Sequence, residues 1–147
     1  MISVVQRVSY SSVKVDGQIV GEINGGINIL LGVVKHDTNQ DVDYLIDKIV
    51  NLRMFSDSNN KMNLSIVDVN GSALVISQFT LAANLTKGKR PSFDGAETAL
   101  RAKELYNEFV NKLSHKIPVK TGIFSADMSV EIHNNGPVTF IIDSKSI

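Results

Sequence analysis

The sequence contains no cysteine, and it has only 3 prolines and 10 glycines in 147 residues. Without cysteine the chain has no disulfide, no thiolate zinc site and no thiol nucleophile, which fits a reducing compartment. Its histidines, His36, His115 and His133, have no metal-ligand spacing among themselves or with nearby carboxylates. We therefore expect no metal and no cofactor.

Long apolar runs and an excess of one charge are also missing. The longest apolar run, residues 27–34, is interrupted by Asn28 and Gly32 and is far too short to cross a bilayer. The N-terminus lacks the basic and apolar regions of a signal peptide. Fifteen basic and fifteen acidic side chains cancel, so any nucleic-acid contact must come from a local patch. We expect a cytoplasmic protein with no membrane segment.

The apolar content of 43% and the length predict one folded domain over residues 1–147 with a substantial core. Most of the chain has the composition of β-structure. Asp16-Gly17 and Asn70-Gly71 are signals for tight hairpin turns. Strands are expected at 1–15, 18–23, 27–34, 64–69, 72–81, 119–124, 128–133 and 138–143.

Two segments carry apolar residues at helical spacing. The first begins at Thr38, an N-cap candidate with Asp41 at the capping-box position, and the second begins at Asp94, with Glu97 at that position. The apolar stripe of the second helix is expected to comprise Ala96, Ala99, Leu100, Tyr106, Phe109, Val110 and Leu113. The predicted fold is α+β, with antiparallel sheets curled into a barrel-like core and two helices packed outside.

One strand ends in an unusual polar cluster, in which Ser77, Gln78 and Thr80 are interleaved with Phe79. Side chains alternate between the two faces of a strand, so this end would deliver hydroxyls and an amide into a cleft. The alternative is a strand that becomes solvated as it leaves the core, because such residues mostly lie at the surface.

The dense basic cluster of the chain lies on a loop directly after this strand and contains Lys87, Lys89 and Arg90. It is either a solvated loop or a contact to nucleic-acid phosphates, which basic side chains bind without reading sequence. No P-loop, dinucleotide-binding or G-x-S-x-G pattern occurs. A Ser-His-Asp triad assembles in space, so the sequence neither indicates nor rejects one. An enzyme with these residues would work by positioning and by backbone hydrogen bonds.

Two segments resemble the signature motifs of D-aminoacyl-tRNA deacylases. They are Ser77-Gln78-Phe79-Thr80-Leu81 and Asn134-Asn135-Gly136-Pro137-Val138-Thr139. The likeness extends over nearly the whole chain, including segments 6–8, 15–17, 31–33, 61–63, 87–93 and 126–128. One departure is visible, because the family commonly has glycine where this chain has Ser125.

The resemblance implies a hydrolase that cleaves the ester joining a D-amino acid to the terminal ribose of tRNA. It also implies cleavage of glycine mischarged on tRNA and rejection of L-aminoacyl-tRNA, which is chiral proofreading in translation. The implied partners are the aminoacylated 3′ end of tRNA and a second copy of the chain, with active sites at the interface of a homodimer.

The resemblance also assigns roles to residues. Ser77, Gln78, Phe79 and Thr80 would line the reacting carbonyl, with a backbone N–H of Phe79 or Thr80 as oxyanion donor.

The resemblance further implies a set of substrate-binding residues. Gly136 and Pro137 would be joined by a cis bond, reach into the partner's site and exclude L-amino acids. Arg7 would hold that segment in place. Ala126 and Met128 would contact the substrate, and Lys87, Lys89 and Arg90 would contact the tRNA.

The nucleophile stays open between Thr80 and water. The sequence shows no base beside Thr80, which favours water assisted by the ribose 2′-hydroxyl.

Two other functions are compatible with these residues. One is a non-catalytic module that binds RNA ends through the basic loop and Phe79. The other is an editing domain of the kind attached to some threonyl-tRNA synthetases, which the end of the chain at residue 147 disfavours. The preferred D-amino acid and tRNA are not specified by any of these residues.

Overall fold

Eight β-strands and two α-helices make up residues 1–146, the part of the chain that this computed structural model describes. The strands are β1 (Ile2–Val15), β2 (Gln18–Ile23), β3 (Gly26–Gly32), β4 (Phe55–Ser56), β5 (Met62–Leu64), β6 (Ser72–Ser77), β7 (Val119–Thr121) and β8 (Ser129–Asp143). The helices are α1 (Asn39–Asn51) and α2 (Ala99–Ser114), and a short 3-10 helix covers Phe79–Ala82. None of these helices is long and apolar enough to cross a membrane.

Six of the strands form one mixed sheet in the order β2-β1-β3-β6-β7, with β8 paired to β1. β1 pairs antiparallel with β2, β3 and β8, whereas β6 lies parallel to both β3 and β7. The two ends of the sheet approach each other closely, because a Cβ at Gly21 of β2 would lie 2.4 Å from the Thr121 carbonyl of β7. The sheet is therefore a nearly closed barrel with two helices outside it, which confirms the predicted fold class.

The core has two parts, one on each face of this sheet. Ile27, Ile29 and Leu31 of β3 face the helices and belong to the larger apolar cluster. Leu30 points to the other face and packs against a smaller cluster inside the barrel. The inner cluster fills the barrel and comprises Val8, Val13, Ile23, Leu74 and Ile76. β3 is thus buried on both faces, as its continuous apolar run predicts.

The capping box predicted for α1 is confirmed. The Thr38 amide donates to Asp41 Oδ2 at 2.8 Å, and Thr38 Oγ1 accepts from the Gln40 amide at 3.2 Å. The hairpin at Asp16-Gly17 is also confirmed, with positive φ at both residues, as the tight hairpin turn requires.

The predicted start of α2 at Asp94 is wrong, because the helix begins at Ala99 with Thr98 as its N-cap. The preceding residues pair with the chain after β3 instead, where the Glu97 amide donates to the Val33 carbonyl. The stripe shifts accordingly, and Leu100 is 76% exposed. The residues of α2 that are buried are Leu105, Tyr106, Phe109 and Leu113.

The predicted hairpin between strands 64–69 and 72–81 is also wrong. Residues 66–70 form a turn that Ser65 and Asp68 close with reciprocal backbone-to-side-chain hydrogen bonds. Asn70 then adopts the left-handed conformation, with φ of 53°, that commonly ends a helical turn. β5 pairs with β4, and β6 joins the main sheet in parallel.

At the C-terminal end, the strand predicted at 119–124 is shorter, and the strands predicted at 128–133 and 138–143 are one continuous strand, β8. Four residues of β8, 135–138, lie opposite a single residue of β1, Arg7. The strand therefore bulges at this point without leaving the sheet. The missing N–H of Pro137 is tolerated because β1 is the single strand that pairs with β8 within residues 1–146.

Candidate active site

The end of β6 and the turn before β8 enclose an open cleft of about 260 Å³. The cleft is lined by Ile76, Ser77, Gln78, Phe79, Ser125, Ala126, Met128 and Val130. The fold thus brings three residues of the polar strand end together with Ala126 and Met128, although about fifty residues separate the two groups in sequence. Thr80 is exposed and does not line this cleft.

The sequence predicts that the polar side chains of residues 77–80 alternate between the two faces of a strand. This prediction is wrong beyond Ser77, because the strand ends there. The Gln78 amide makes the last bond to β3, at 2.8 Å from the Leu31 carbonyl. The chain then turns into the 3-10 helix, which packs on the end of β3 where a Cβ at Gly32 would lie 2.9 Å from Leu81 Cβ. Glycine at position 32 is required for this close approach.

The turn leaves hydrogen-bonding groups available at the mouth of the cleft. Within residues 1–146, the backbone N–H groups of Phe79 and Thr80 have no acceptor, as is usual for the first turn of a helix. Gln78 Nε2 donates to Thr80 Oγ1 at 2.5 Å, which fixes both side chains beside those amides. Two free N–H groups side by side suit a developing oxyanion.

Within residues 1–146, the side chains that line the cleft include no carboxylate, histidine or lysine. Across residues 1–146, no cluster of three or more His, Asp or Glu side chains is placed to hold a metal ion. The site therefore offers hydrogen bonds and shape, with no ionisable side chain of its own.

An exposed aromatic pair borders the cleft. Phe79 is 56% exposed, and its ring centroid lies 5.0 Å from that of Phe93, with the rings inclined by 56°. Exposed aromatic faces of this kind stack on nucleic-acid bases. Phe93 is a functional candidate that the sequence did not single out, because nothing in its local sequence distinguishes it from a core residue.

The basic loop follows the 3-10 helix and is closed by two hydrogen bonds between the backbones of Asn84 and Ser92, at 2.7 and 3.0 Å. Lys87, Lys89 and Arg90 are exposed at its tip. The loop lies outside the cleft but is joined to it through Phe93, whose ring packs at an incline against that of Phe79.

Gly136 and Pro137 are joined by a cis peptide bond and are exposed on β8. Arg7 fixes this segment from β1, because its Nε donates to the Asn135 carbonyl at 2.9 Å and its Nη1 to the Met54 carbonyl at 2.8 Å. A Cβ at Gly136, where φ is 137°, would lie 2.7 Å from the Val138 side chain.

A second clamp acts on the other side of the same segment. The Val138 amide donates to Asn134 Oδ1 at 3.1 Å, and Asn134 Nδ2 donates to Thr139 Oγ1 at 2.9 Å. Gln6 Nε2 also donates to Thr139 Oγ1, at 3.2 Å.

Within one chain, this clamped segment lies outside the cleft. Arg7 pairs with Ile27 of β3, whereas Ser77 pairs with Leu31, four residues further along that strand. None of Arg7, Gly136 and Pro137 lines the cleft.

Comparison with known proteins agrees with these features. A model of the family described as D-Tyr-tRNA(Tyr) deacylase matches residues 4–143. The D-aminoacyl-tRNA deacylase of Persephonella marina is 65% identical over 147 residues, which cover 100% of both chains. That of Aquifex aeolicus is 54% identical over 148 residues, again covering 100% of both.

Solved structures show the same architecture. A structure described as c-Myc DNA Unwinding Element Binding Protein is 38% identical and superposes with a TM-score of 0.93, covering 97% of this chain and 98% of that one. A probable eukaryotic D-amino acid tRNA deacylase has a TM-score of 0.79 over 96% of this chain and 97% of that one. Its identity is 14%, so it shows the fold alone.

Proposed function

Because the chain belongs to the D-aminoacyl-tRNA deacylase family and hydrolyses the ester bond of D-aminoacyl-tRNA, we propose that it is a chiral proofreading enzyme of translation. It would release D-amino acids and mischarged glycine from tRNA in the cytoplasm and reject L-aminoacyl-tRNA, with residues 1–147 acting as one domain. The observation that carries this proposal is the pairing of an open cleft of free backbone donors with a clamped, exposed main-chain segment elsewhere on the same sheet.

The reaction proposed for the cleft is attack of water on the ester carbonyl. The N–H groups of Phe79 and Thr80 stabilise the oxyanion that forms, and the C–O bond to the ribose then breaks, with the 3′ oxygen taking up a proton. A single oxyanion donor contributes about 10²–10³ in kcat. Thr80 Oγ1 accepts from Gln78 Nε2, and an amide N–H cannot act as the base that would activate this hydroxyl as a nucleophile. Water, assisted by the ribose 2′-hydroxyl, is therefore the proposed nucleophile.

The surroundings of the cleft suit the 3′ end of a tRNA. The exposed rings of Phe79 and Phe93 would stack on the terminal base, and Lys87, Lys89 and Arg90 would contact backbone phosphates.

We propose that the active form is a homodimer in which each subunit completes the other's site. Gly136 and Pro137 are clamped and exposed but lie outside their own cleft, so a second copy has to supply them. Their main-chain atoms would meet the side chain of an L-residue. A D-residue directs its side chain away, and glycine has none, so selection acts by clash with the wrong enantiomer.

Hydrolysis assays on three substrates test this function directly. Purified protein mixed with D-Tyr-tRNA, Gly-tRNA or L-Tyr-tRNA should release the amino acid from the first two and leave the third intact. Equal release from D-Tyr-tRNA and L-Tyr-tRNA would contradict a proofreading role, and no release from any of them would contradict the assignment of the site.

Mixed dimers test whether the site is shared. One subunit carries Ala126→Arg, which fills the cleft, and the other carries Gly136→Ala, which displaces the clamped segment because the added Cβ collides with Val138. Different C-terminal tags select the mixed species and leave the buried α-amino group of Met1 against Asp37 undisturbed.

If the segment acts across the interface, the mixed dimer keeps one fully wild-type site and rejects L-Tyr-tRNA. If it acts within its own chain, the active subunit carries the displaced segment and hydrolyses L-Tyr-tRNA as readily as the Gly136→Ala homodimer does.

A further inference from the structure

The turn that forms one wall of the cleft has an unfavourable backbone conformation. The Ala126 amide donates to the Ile123 carbonyl at 3.2 Å, which closes a four-residue turn, and Ser125 occupies its third position with φ of 64°. A positive φ at this position is the pattern of a type II turn, where glycine or asparagine is strongly favoured. Serine there strains the backbone, because its Cβ crowds the neighbouring peptide.

Ser125 is unusual among comparable residues of this chain. In the described residues, positive φ also occurs at Asp16, His36, Asn60 and Asn70 among non-glycine positions. Those residue types are the ones enriched in the left-handed region. Serine lacks that preference, so local conformational preference does not account for its presence in the turn.

The protein makes no internal use of the Ser125 side chain that would offset this strain. The residue is exposed, and its hydroxyl takes part in no side-chain hydrogen bond found within residues 1–146. It does line the cleft, together with Ser77 and Gln78. The lining side chains that follow it in sequence, those of Ala126, Met128 and Val130, form no strong hydrogen bonds.

We propose that Ser125 is a substrate-binding residue, whose hydroxyl hydrogen-bonds the aminoacyl-ribose end of the substrate in the cleft that it lines with Ser77 and Gln78. This inference rests on the proposed function. The ester end carries an ammonium group and a ribose hydroxyl, both of which lose water on entering the cleft. A serine hydroxyl can replace that water because it both donates and accepts. Strained residues that line clefts are often held for such a purpose.

Two substitutions separate the hydroxyl from the shape of the turn. Ser125→Ala removes the hydroxyl and keeps a Cβ in the strained conformation, whereas Ser125→Gly removes both the hydroxyl and the strain. Ser129→Ala is the matched control, because Ser129 is an exposed serine four residues away that does not line the cleft. Steady-state kcat and KM with D-Tyr-tRNA and the thermal unfolding midpoint are measured for each variant.

We expect both Ser125 variants to lose about 3- to 10-fold in kcat/KM, the effect of one neutral hydrogen bond. Ser125→Gly should unfold at a higher temperature than wild type, and Ser129→Ala should match wild type in both measurements. Wild-type kcat/KM in either Ser125 variant overturns the inference. The glycine variant removes the backbone strain and should fold at least as well as wild type. Its kcat/KM therefore tests the inference even if the alanine variant folds poorly. A wild-type protein with no activity on D-Tyr-tRNA would instead refute the proposed function.

Discussion

Charged residues in this protein hold the two ends of the chain together, and none of them lines the cleft. The α-amino group of Met1 is buried against Asp37 Oδ1 at 2.8 Å and also donates to Ser144 Oγ at 2.8 Å. Ser144 in turn donates to Asp41 Oδ1 at 2.6 Å, which ties the first strand to the start of α1 and to the end of β8. None of these residues lines the cleft, so substitutions in this network should act on folding.

Asp41 makes this network sensitive to acid. Burial alone would raise the pKa of its carboxyl, but hydrogen bonds from Lys145, Ser144 and the Thr38 amide outweigh burial and hold the pKa well below 3.8. A carboxyl whose pKa is lower in the folded state stabilises the protein above its unfolded pKa, and this stabilisation is lost as the pH falls through the folded pKa.

We predict that Asp41→Asn lowers the free energy of unfolding by about 1–3 kcal/mol near pH 7, the range for hydrogen bonds to a charged group. The difference from wild type should shrink as the pH falls below 4. Urea denaturation between pH 2.5 and pH 7 measures it, with Asp47→Asn, an exposed position on the same helix, as the control. A difference that is constant with pH would show that the charge of Asp41 does not matter.

At the scale of secondary-structure elements, α2 is fastened to the strand that leads into the cleft. Tyr106 of α2 is buried, and its hydroxyl donates to the Val75 carbonyl of β6 at 2.8 Å, two residues before Ser77. Burial raises the pKa of Tyr106 to about 12, so the hydroxyl stays protonated and donates throughout the neutral range. The helix therefore fixes β6 close to the point where the strand ends.

Removing this hydroxyl should weaken the attachment. We predict that Tyr106→Phe lowers the free energy of unfolding by about 1–2 kcal/mol, because the ring still packs but one buried hydrogen bond is lost. Tyr44→Phe on α1 changes a 37% exposed tyrosine and should have little effect. Equal effects of the two substitutions in equilibrium denaturation would rule out the proposed role of the Val75 contact.

The whole molecule has no net charge, so its attraction to tRNA has to come from a local concentration of basic residues. The basic loop with Lys87, Lys89 and Arg90 stands beside the aromatic pair at the cleft, at one edge of the protein. An RNA whose 3′ end enters the cleft would pass this loop.

Replacing Lys87, Lys89 and Arg90 together by alanine should weaken tRNA binding and flatten its dependence on salt. Each phosphate contact that is lost should reduce the slope of log affinity against log salt concentration by roughly 0.7–0.9. Titrations from 50 to 300 mM salt measure this slope. Alanine at Lys103, Lys116 and Lys120, three exposed lysines elsewhere, provides the matched control, and an equal change in both triple variants would mean that the loop makes no specific contact.

Features that depend on a few neighbouring residues could be predicted from the sequence alone. The capping box of Thr38 and Asp41, the turn at Asp16-Gly17 and the double burial of β3 follow from hydrogen bonds or apolar patterns within short segments. The motif from Ser77 to Leu81 indicated the family for the same reason, because it is a local sequence. Such features need no knowledge of what the segment packs against.

Features that depend on distant partners could not be predicted from short segments, because they follow from the packing of the whole chain. Asn70-Gly71 ends a helical turn because β6 pairs in parallel with β3, and α2 starts late because Glu97 bonds to Val33. The cleft joins residues 77–79 to 125–130 through the closure of the sheet, and the same closure leaves Gly136 outside it. Strand pairing is set by which apolar faces meet across the whole chain, and local sequence preferences are too weak to determine it.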